Sequence, residues 1–220
     1  MRFSSPNTVR ITIIALILLL CSAAGTQELQ RIVLPPPDTQ GGMPLMQALA
    51  LRSTSRSFAD KELPVQVLSD LLWAATGINR PDSGKRTAPT ARNLQEIDVY
   101  VAMAEGLYLY DPNEHVLLPV LEGDIRAVTG RQDFVAAAPV NLVFVADYAR
   151  MGDAAAEIKK FYGATDTGFI SQNVYLYCAS AGLATVVRGA VDREALAKAM
   201  KLRTDQAVIL AQTVGFPAEE

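Results

Sequence analysis

The sequence predicts a single α+β domain. Segments with helical apolar spacing and segments with strand-like alternation mix along the chain, without the strict βα alternation of a doubly wound sheet. Half of the 220 residues are apolar, which suffices for a sizeable core, and the roughly 195 residues that follow an N-terminal leader suit one domain.

The leader comes first. Arg2 and Arg10 give a positive start, Ile11 to Cys21 form an uncharged apolar run, and Ser22-Ala23-Ala24-Gly25 supplies small residues. That order reads as a Sec-type signal peptide over residues 1–25, too short to span a bilayer comfortably. It places the mature protein in the periplasm or outside the cell, with no stable membrane span after cleavage. An uncleaved anchor and a lipid on Cys21 are the alternatives, the second weakened by the large Leu20 just before the cut. Residues 26–42, with Pro35-Pro36-Pro37 and Gly41-Gly42, read as an extended linker, and 43–220 as the domain.

Within the domain, Met43 to Leu51 has a short helical pattern in Leu45, Met46, Ala48 and Leu49. Pro64 opens a second helix, with Val65, Leu68, Leu71, Leu72 and Ala75 as its buried stripe and Gly77 as its stop. Residues 78–92 read as a long structured loop. Ile97–Met103 is a strand and Leu107–Tyr110 its hairpin partner. Val140–Ala146 is a mostly apolar, hence central, strand. Ala154–Tyr162 and Thr167–Ala181 read as two helices, the second apolar nearly all round and so buried on several sides, as in a subunit interface. Asp192 caps a helix through Met200, and Ala207–Val214 closes as a strand.

Composition excludes several functions. A net charge of −3 leaves no electrostatic footprint for nucleic acid. After the signal only Cys178 remains, so no intramolecular disulfide forms; a lone Cys in an apolar run reads as a small core residue. The one histidine, His115, sits beside a turn with Asp111-Pro112-Asn113 and reads as a surface turn residue rather than a base. One His and one Cys make no metal site, and neither a Walker loop nor a Gly-x-Gly-x-x-Gly occurs. A cofactor that carries its own reactivity fits better.

Two segments can hold one. Arg52-Ser53-Thr54-Ser55-Arg56-Ser57-Phe58 packs two guanidinium groups and four hydroxyls into seven residues. In a helical turn both arginines reach one anion, binding phosphate oxygens in a fork; a solvated helix end is the alternative. The second segment, Arg86-Thr87-Ala88-Pro89-Thr90-Ala91-Arg92-Asn93-Leu94-Gln95, offers charge, hydroxyls, an amide and small residues on which a planar ligand with polar edges can lie. Taken alone it is an ordinary surface loop; its place between a buried helix and a strand favours a binding role.

Together these residues resemble the nitroreductase family. The first segment, followed by Leu63-Pro64 and a Leu-rich helix, is similar to that family's opening Arg-Arg-Ser-x-Arg-x-Phe. The loop is similar to its Ala-Pro-Ser-Ala-x-Asn-x-Gln, with an Arg-Thr-Ala-Pro start like that of the branch that includes azoline dehydrogenases of peptide maturation. Ser171-Gln172-Asn173-Val174 and Ser180-Ala181-Gly182-Leu183 resemble the family's core helix and its end, and Gly215-Phe216-Pro217 its final Gly-Tyr-Pro. The resemblance runs in order from about Met43 to Pro217.

It implies an α+β fold with a central, mostly antiparallel sheet flanked by helices, an interlocked homodimer, and FMN at the subunit interface. It maps phosphate contacts onto Arg52, Ser53, Thr54 and Arg56 and ring contacts onto Pro89, Thr90, Ala91 and Asn93. A second flavin-facing segment, given by the partner subunit, falls near Val187, Arg188 and Gly189. Ser53 stands where the family has Arg or His, and Thr54 where it has Ser. The family's basic tail is missing before Glu220, with Arg188, Lys201 or Arg203 as substitutes for its charge. Arg188, Arg86 and Arg92 are candidates to face the reduced flavin near N1.

The expected activity is ping-pong hydride or electron transfer, with the flavin as the only reactive group and no protein catalytic residue or metal. NAD(P)H or another donor supplies electrons; a nitro compound, quinone or similar small conjugated molecule exchanges them. Export strains the choice of NAD(P)H as donor. The alternative is a flavin- or small-ligand-binding module without turnover.

Overall fold

The computed structural model describes residues 28–218; the expected signal segment lies outside them. Nine strands and five α-helices are named here in chain order. β1 (Ile32–Val33) is followed by α1 (Leu45–Leu51), α2 (Val65–Thr76), the small hairpin β2 (Ile78–Arg80) and β3 (Lys85–Arg86), then β4 (Ile97–Ala102), β5 (Gly106–Asp111) and β6 (Val116–Glu122). After α3 (Phe134–Ala137) come β7 (Val140–Asp147), α4 (Ala156–Ala181), β8 (Ala184–Arg188), α5 (Arg193–Ala199) and β9 (Gln206–Gly215).

Seven strands form one sheet in the order β1-β6-β5-β4-β7-β9-β8, and every pair among them is antiparallel. β7 is central and wholly buried. Its side chains alternate between two cores, as strand geometry requires. Val140, Leu142, Phe144 and Ala146 enter one with Leu68, Leu71, Leu72 and Ala75 of α2 and Ile170, Val174 and Cys178 of α4. Val143 and Val145 enter the other, with Leu196 of α5 and Met200. Each fully buried leucine contributes about 1.5–3 kcal/mol, so the α2 stripe pins that helix to the sheet.

Several expectations are corrected. The segment expected as a linker is extended, but it also packs: β1 pairs with Val116 and Leu117 of β6, and Leu34 is buried in the core. The two helices expected at Ala154–Tyr162 and Thr167–Ala181 are one, α4, of 26 residues. Gly163 lets that helix approach the sheet, since a Cβ there would stand 3.3 Å from Ala146 Cβ. Tertiary contact overrides the weak helix propensity of Gly163 to Thr167. β6 and β8 were not anticipated. Pro119 in β6 argues against a strand, yet it faces Tyr108 next to a register shift, beyond the two residues covered by β1, where a missing N–H disturbs little.

Pro64 is the N-cap residue and α2 begins one residue later, at Val65, which is exposed. Gly77 ends α2 in an extended conformation; glycine is needed because a Cβ would lie 2.4 Å from Trp73 Cδ1. His115 occupies a turn at φ 54°, but it is half-buried and bonded rather than solvated. Ser69 Oγ donates to Pro35 O at 2.6 Å and so accepts from His115 Nε2 at 2.7 Å, while Tyr110 Oη donates to Nδ1 at 2.9 Å. Burial lowers the imidazole pKa, in keeping with this neutral tautomer. Asp192 caps α5 by accepting the Ala195 N–H.

Candidate functional site

α1 ends at Leu51. Arg52 is its C-cap and leaves helical geometry at ψ 118°, its N–H bonded to Ala48 O. The helical turn that would set Arg52 and Arg56 side by side is therefore absent. Residues 52–58 instead leave the helix and meet the open edge of β8 at Ser55 and the chain after β9 at Ser57 and Phe58. The Ser55 N–H donates to Thr185 O at 3.0 Å, and Phe58 bridges Pro217. The edge strand is covered in this way, as sheet edges generally are.

Tyr175 of α4 organises this segment. Its ring lies under the Arg52 guanidinium, 5.3 Å from centroid to Cζ, a cation–π contact. Its hydroxyl accepts the Val187 N–H at 3.0 Å and meets Thr54 Oγ1 at 3.0 Å. With Val187 on one phenol lone pair, the phenol proton is available to Thr54, which frees the threonine proton for an external oxygen. Neither Arg52 nor Arg56 has a carboxylate partner among the described residues, whereas Arg31, Arg126, Arg131, Arg150 and Arg203 all do. Two unneutralised cations and the exposed hydroxyls of Ser53 and Thr54 suit an anion.

The structure thus joins Arg52, Thr54 and Val187 in one chain. The Val187–Gly189 segment was expected to face a flavin held by the partner subunit; within its own chain, Val187 stands beside Thr54 through Tyr175. Arg188 is placed differently from its expected role. Val187 and Arg188 point to opposite sheet faces, and Arg188 is buried away from α4. Its guanidinium donates to Thr129 O at 2.6 Å, Asn141 Oδ1 at 2.9 Å and Thr213 Oγ1 at 3.1 Å. Burial without a carboxylate lowers its pKa to about 10. Gly130 makes room for it, since a Cβ there would overlap Arg188 Nη1. Arg188 therefore cannot face a flavin N1 edge or replace a basic tail, and Arg203 is held by Asp147 and Asp205.

The loop carrying Pro89, Thr90, Ala91 and Asn93 meets the middle of α4, at Asp166. Arg92, Asn93 and Gln95 have φ of 56°, 56° and 51°, a concentration of left-handed non-glycine residues that costs of order 1 kcal/mol each and persists only where neighbours enforce it. The neighbours are visible. Gln95 N donates to Thr90 Oγ1 at 2.9 Å and Gln95 Nε2 to Gly84 O at 2.9 Å. Ala91 N donates to Asp166 Oδ2 at 2.9 Å, and Arg150 Nη1 to Gln95 O at 2.7 Å. Asp166 and Tyr175 are nine residues apart on α4, about 13.5 Å at 1.5 Å per residue. Beside the loop, a cavity of about 490 Å³ between α2 and α4 is lined by Trp73, Thr87, Asn173 and Tyr177; it reaches none of residues 52–56.

Sequence reasoning missed Tyr175, Asp166 and Glu96. Glu96 is fully buried at the start of β4, accepts the Thr90 hydroxyl at 3.2 Å, and has its pKa raised, mainly by burial. Arg86 lies close by, its pKa lowered by burial, with Nε buried and without an acceptor. Helical and strand spacing mark these positions as core and say nothing of their partners.

Comparison with known proteins identifies the family. The profile of the nitroreductase family matches residues 49–216. A Methanocaldococcus jannaschii protein named as a nitroreductase is 28% identical over 169 residues, 72% of this chain and 85% of its own length. The crystal structure of a Ralstonia eutropha JMP134 protein, also named as a nitroreductase, superposes with a TM-score of 0.84 at 47% identity, covering 87% of this chain and 91% of its own. A Desulfovibrio desulfuricans nitroreductase in complex with FMN shares the fold at a TM-score of 0.58 and 22% identity, over 80% of this chain and 88% of its own. On sequence and fold, the chain belongs to the nitroreductase family.

Proposed function

We propose that this chain is an exported FMN-dependent oxidoreductase that works as a homodimer on small conjugated substrates. The observation that carries the reading is the joining of Arg52, Thr54 and Val187 around Tyr175, with no carboxylate among the described residues paired to Arg52 or Arg56. The Desulfovibrio relative's complex with FMN supports the choice of cofactor.

The residues fit that group. Arg52 and Arg56 would hold the phosphate, helped by the hydroxyls of Ser53 and Thr54. Pro89, Thr90, Ala91 and Asn93, with the backbone of Val187 and Gly189, would meet the ring. When bound, FMN supplies reversible hydride or electron transfer between a reduced donor, NAD(P)H or another, and an acceptor such as a nitro compound or quinone. The chain itself binds, orients and excludes water; Arg86 and Arg92 offer positive charge beside the ring loop.

Two features favour a site shared between protomers. The residues that anchor the two segments, Tyr175 and Asp166, lie about 13.5 Å apart along α4. Leu45, Met46, Leu49 and Leu51 of α1 and Ile158, Phe161 and Phe169 of α4 are exposed, apolar surface of a kind that marks association sites. The apolar run at residues 11–21 supports export; no helix among the described residues is long and apolar enough to cross a membrane.

The test is the visible spectrum of the purified protein, followed by anaerobic addition of donors. A flavin spectrum that a donor bleaches and a quinone or nitro compound restores is expected. A protein that gains no absorbance with added FMN sinks the reading, and a yellow protein that no donor bleaches is a binding module.

A further inference from the structure

Arg86 is a half-buried cation beside the ring loop that the fold leaves without a counter-ion. It ends β3, where strand alternation turns Lys85 to solvent and Arg86 inward, so Lys85 is exposed and Arg86 is not. No carboxylate among the described residues pairs with the Arg86 guanidinium. Its Nη1 makes one long bond, 3.4 Å, to Thr76 Oγ1, and its Nε is buried with no acceptor. Nη2 bonds nothing among the described residues and is not buried, so it opens to solvent. A charge withdrawn this far from water is costly unless something pairs with it.

The guanidinium lines a crevice of about 330 Å³ between the ring loop and the turn that joins β5 to β6. The other charged groups of the crevice are engaged. Arg150 is bound to Asp98 at 2.8 Å and to Gln95 O at 2.7 Å. Asp111 Oδ1 accepts the Asn113 N–H at 2.8 Å and its side-chain amide at 3.1 Å, which ties it into the turn. Tyr110 gives its proton to His115 Nδ1. Opposite Arg86 the wall is apolar: Leu109 and Leu118, which face each other across β5 and β6, both line it. The surrounding field favours an anion. Residues 78–95 hold Arg80, Lys85, Arg86 and Arg92 against Asp82, a charge of +3 in a chain of net −3.

We propose that this crevice binds a small organic carboxylate, seated on Nη1 and Nη2 of Arg86 with its apolar part against Leu109 and Leu118. The planar fork of a single guanidinium matches the two oxygens of a carboxylate, and the leucine wall calls for a hydrocarbon body that an inorganic anion lacks. The carboxylate is either a free molecule or one end of a substrate whose conjugated part reaches the ring loop. Gln95 connects the two places. It lines the crevice, and it holds the ring loop through its N–H to Thr90 Oγ1 and its Nε2 to Gly84 O, both at 2.9 Å. Any effect of the carboxylate on turnover rests on the flavin reading; the site itself does not.

The experiment is calorimetric titration of the full chain with benzoate and with benzamide, which has the same shape and no charge. Benzoate should bind more tightly by about tenfold or more, the size of one hydrogen bond to a charged group. Arg86→Gln should abolish that preference. Lys85→Gln, which removes the neighbouring exposed cation, should leave it within about twofold, as a solvent-screened charge does. A readout on the unsubstituted protein covers the case in which Arg86→Gln does not fold: the Arg86 guanidinium ¹⁵N–¹H signal should shift with benzoate and stay in place with benzamide. Equal affinity for the two probes overturns the proposal. So does benzoate binding that a folded Arg86→Gln retains, or an Arg86 signal that does not move. With FMN loaded, benzoate that competes with 4-nitrobenzoate as acceptor makes the carboxyl part of the substrate; benzoate that binds alongside it makes the ligand a separate molecule. An Arg86-dependent benzoate site in a protein that takes up no FMN leaves the proposal standing and removes the flavin reading instead.

Discussion

Replacing Tyr175 with Phe separates the two things this residue does. The ring stays under Arg52, so the cation–π contact at 5.3 Å survives. The hydroxyl goes, and with it the hydrogen bonds to Thr54 Oγ1 and from the Val187 N–H, both at 3.0 Å. Thr54 is exposed and takes a water instead, at little cost. Val187 is half-buried, and its N–H is left without an acceptor, which costs about 1–2 kcal/mol. Global stability should fall by that amount in urea titration, with an unchanged m-value. The same tie fixes Thr54, in the segment proposed to hold the FMN phosphate, beside Val187 of β8. Without it, ordering of residues 52–55 comes out of FMN binding energy, and affinity should drop about five- to thirtyfold, the equivalent of 1–2 kcal/mol. Isothermal titration of apoprotein with FMN reads this directly. If Tyr175→Phe loses the expected stability yet binds FMN within about twofold of the unsubstituted protein, well inside that range, then Tyr175 is a packing residue and the organising role assigned to it is wrong.

Arg52→Ala and Arg56→Ala should each weaken FMN binding by about 1.5–3 kcal/mol, the range for hydrogen bonds to charged groups; unchanged affinity in both would place the phosphate elsewhere. His115 is neutral and its folded pKa is lowered by burial. Between that value and the ordinary 6.5 the unfolded chain binds more protons. The stability it contributes is therefore full above 6.5 and is lost as pH falls through the lowered folded value. Urea midpoints measured from pH 7.5 to 4.5 should show this loss, and His115→Gln should remove its part of the slope. Cys178 is fully buried and its thiol is pushed up to about 12, so a disulfide reagent at neutral pH should titrate no thiolate from it until urea unfolds the chain.

How far the sequence foretold this structure depends on the distance over which each element is decided. α2, β4, β5, β7, α5 and β9 were legible because local spacing and tertiary burial agree there. The break expected inside α4 was a local reading. Gly163 and Asp166 look like helix interrupters until the sheet and the Ala91 N–H are placed beside them. β1 hid in a proline-rich stretch because only two of its residues pair. β8 hid because five residues after a long helix carry no alternation strong enough to announce a strand.

The site divides in the same way. Arg52, Thr54 and Val187 were named from the order of motifs, and the fold brings them together. The means by which they meet is a phenol that sequence spacing marks only as one more aromatic on a buried helix. Arg188 shows the opposite failure. A cation at a predicted ligand segment invites an electrostatic role, but strand alternation settles its direction one residue away, at Val187. Arg188 bonds Asn141, which alternates with Val140 and Leu142 of the α4-side core, so its side chain lies on the other face, and a space left by Gly130 with the acceptors of Thr129, Asn141 and Thr213 holds it there. Glu96 and Asp166 are separated by 70 positions, and each alone reads as a surface acid. That one bonds Thr90 and the other Ala91 is a property of the sheet and α4 together, which no local spacing announces.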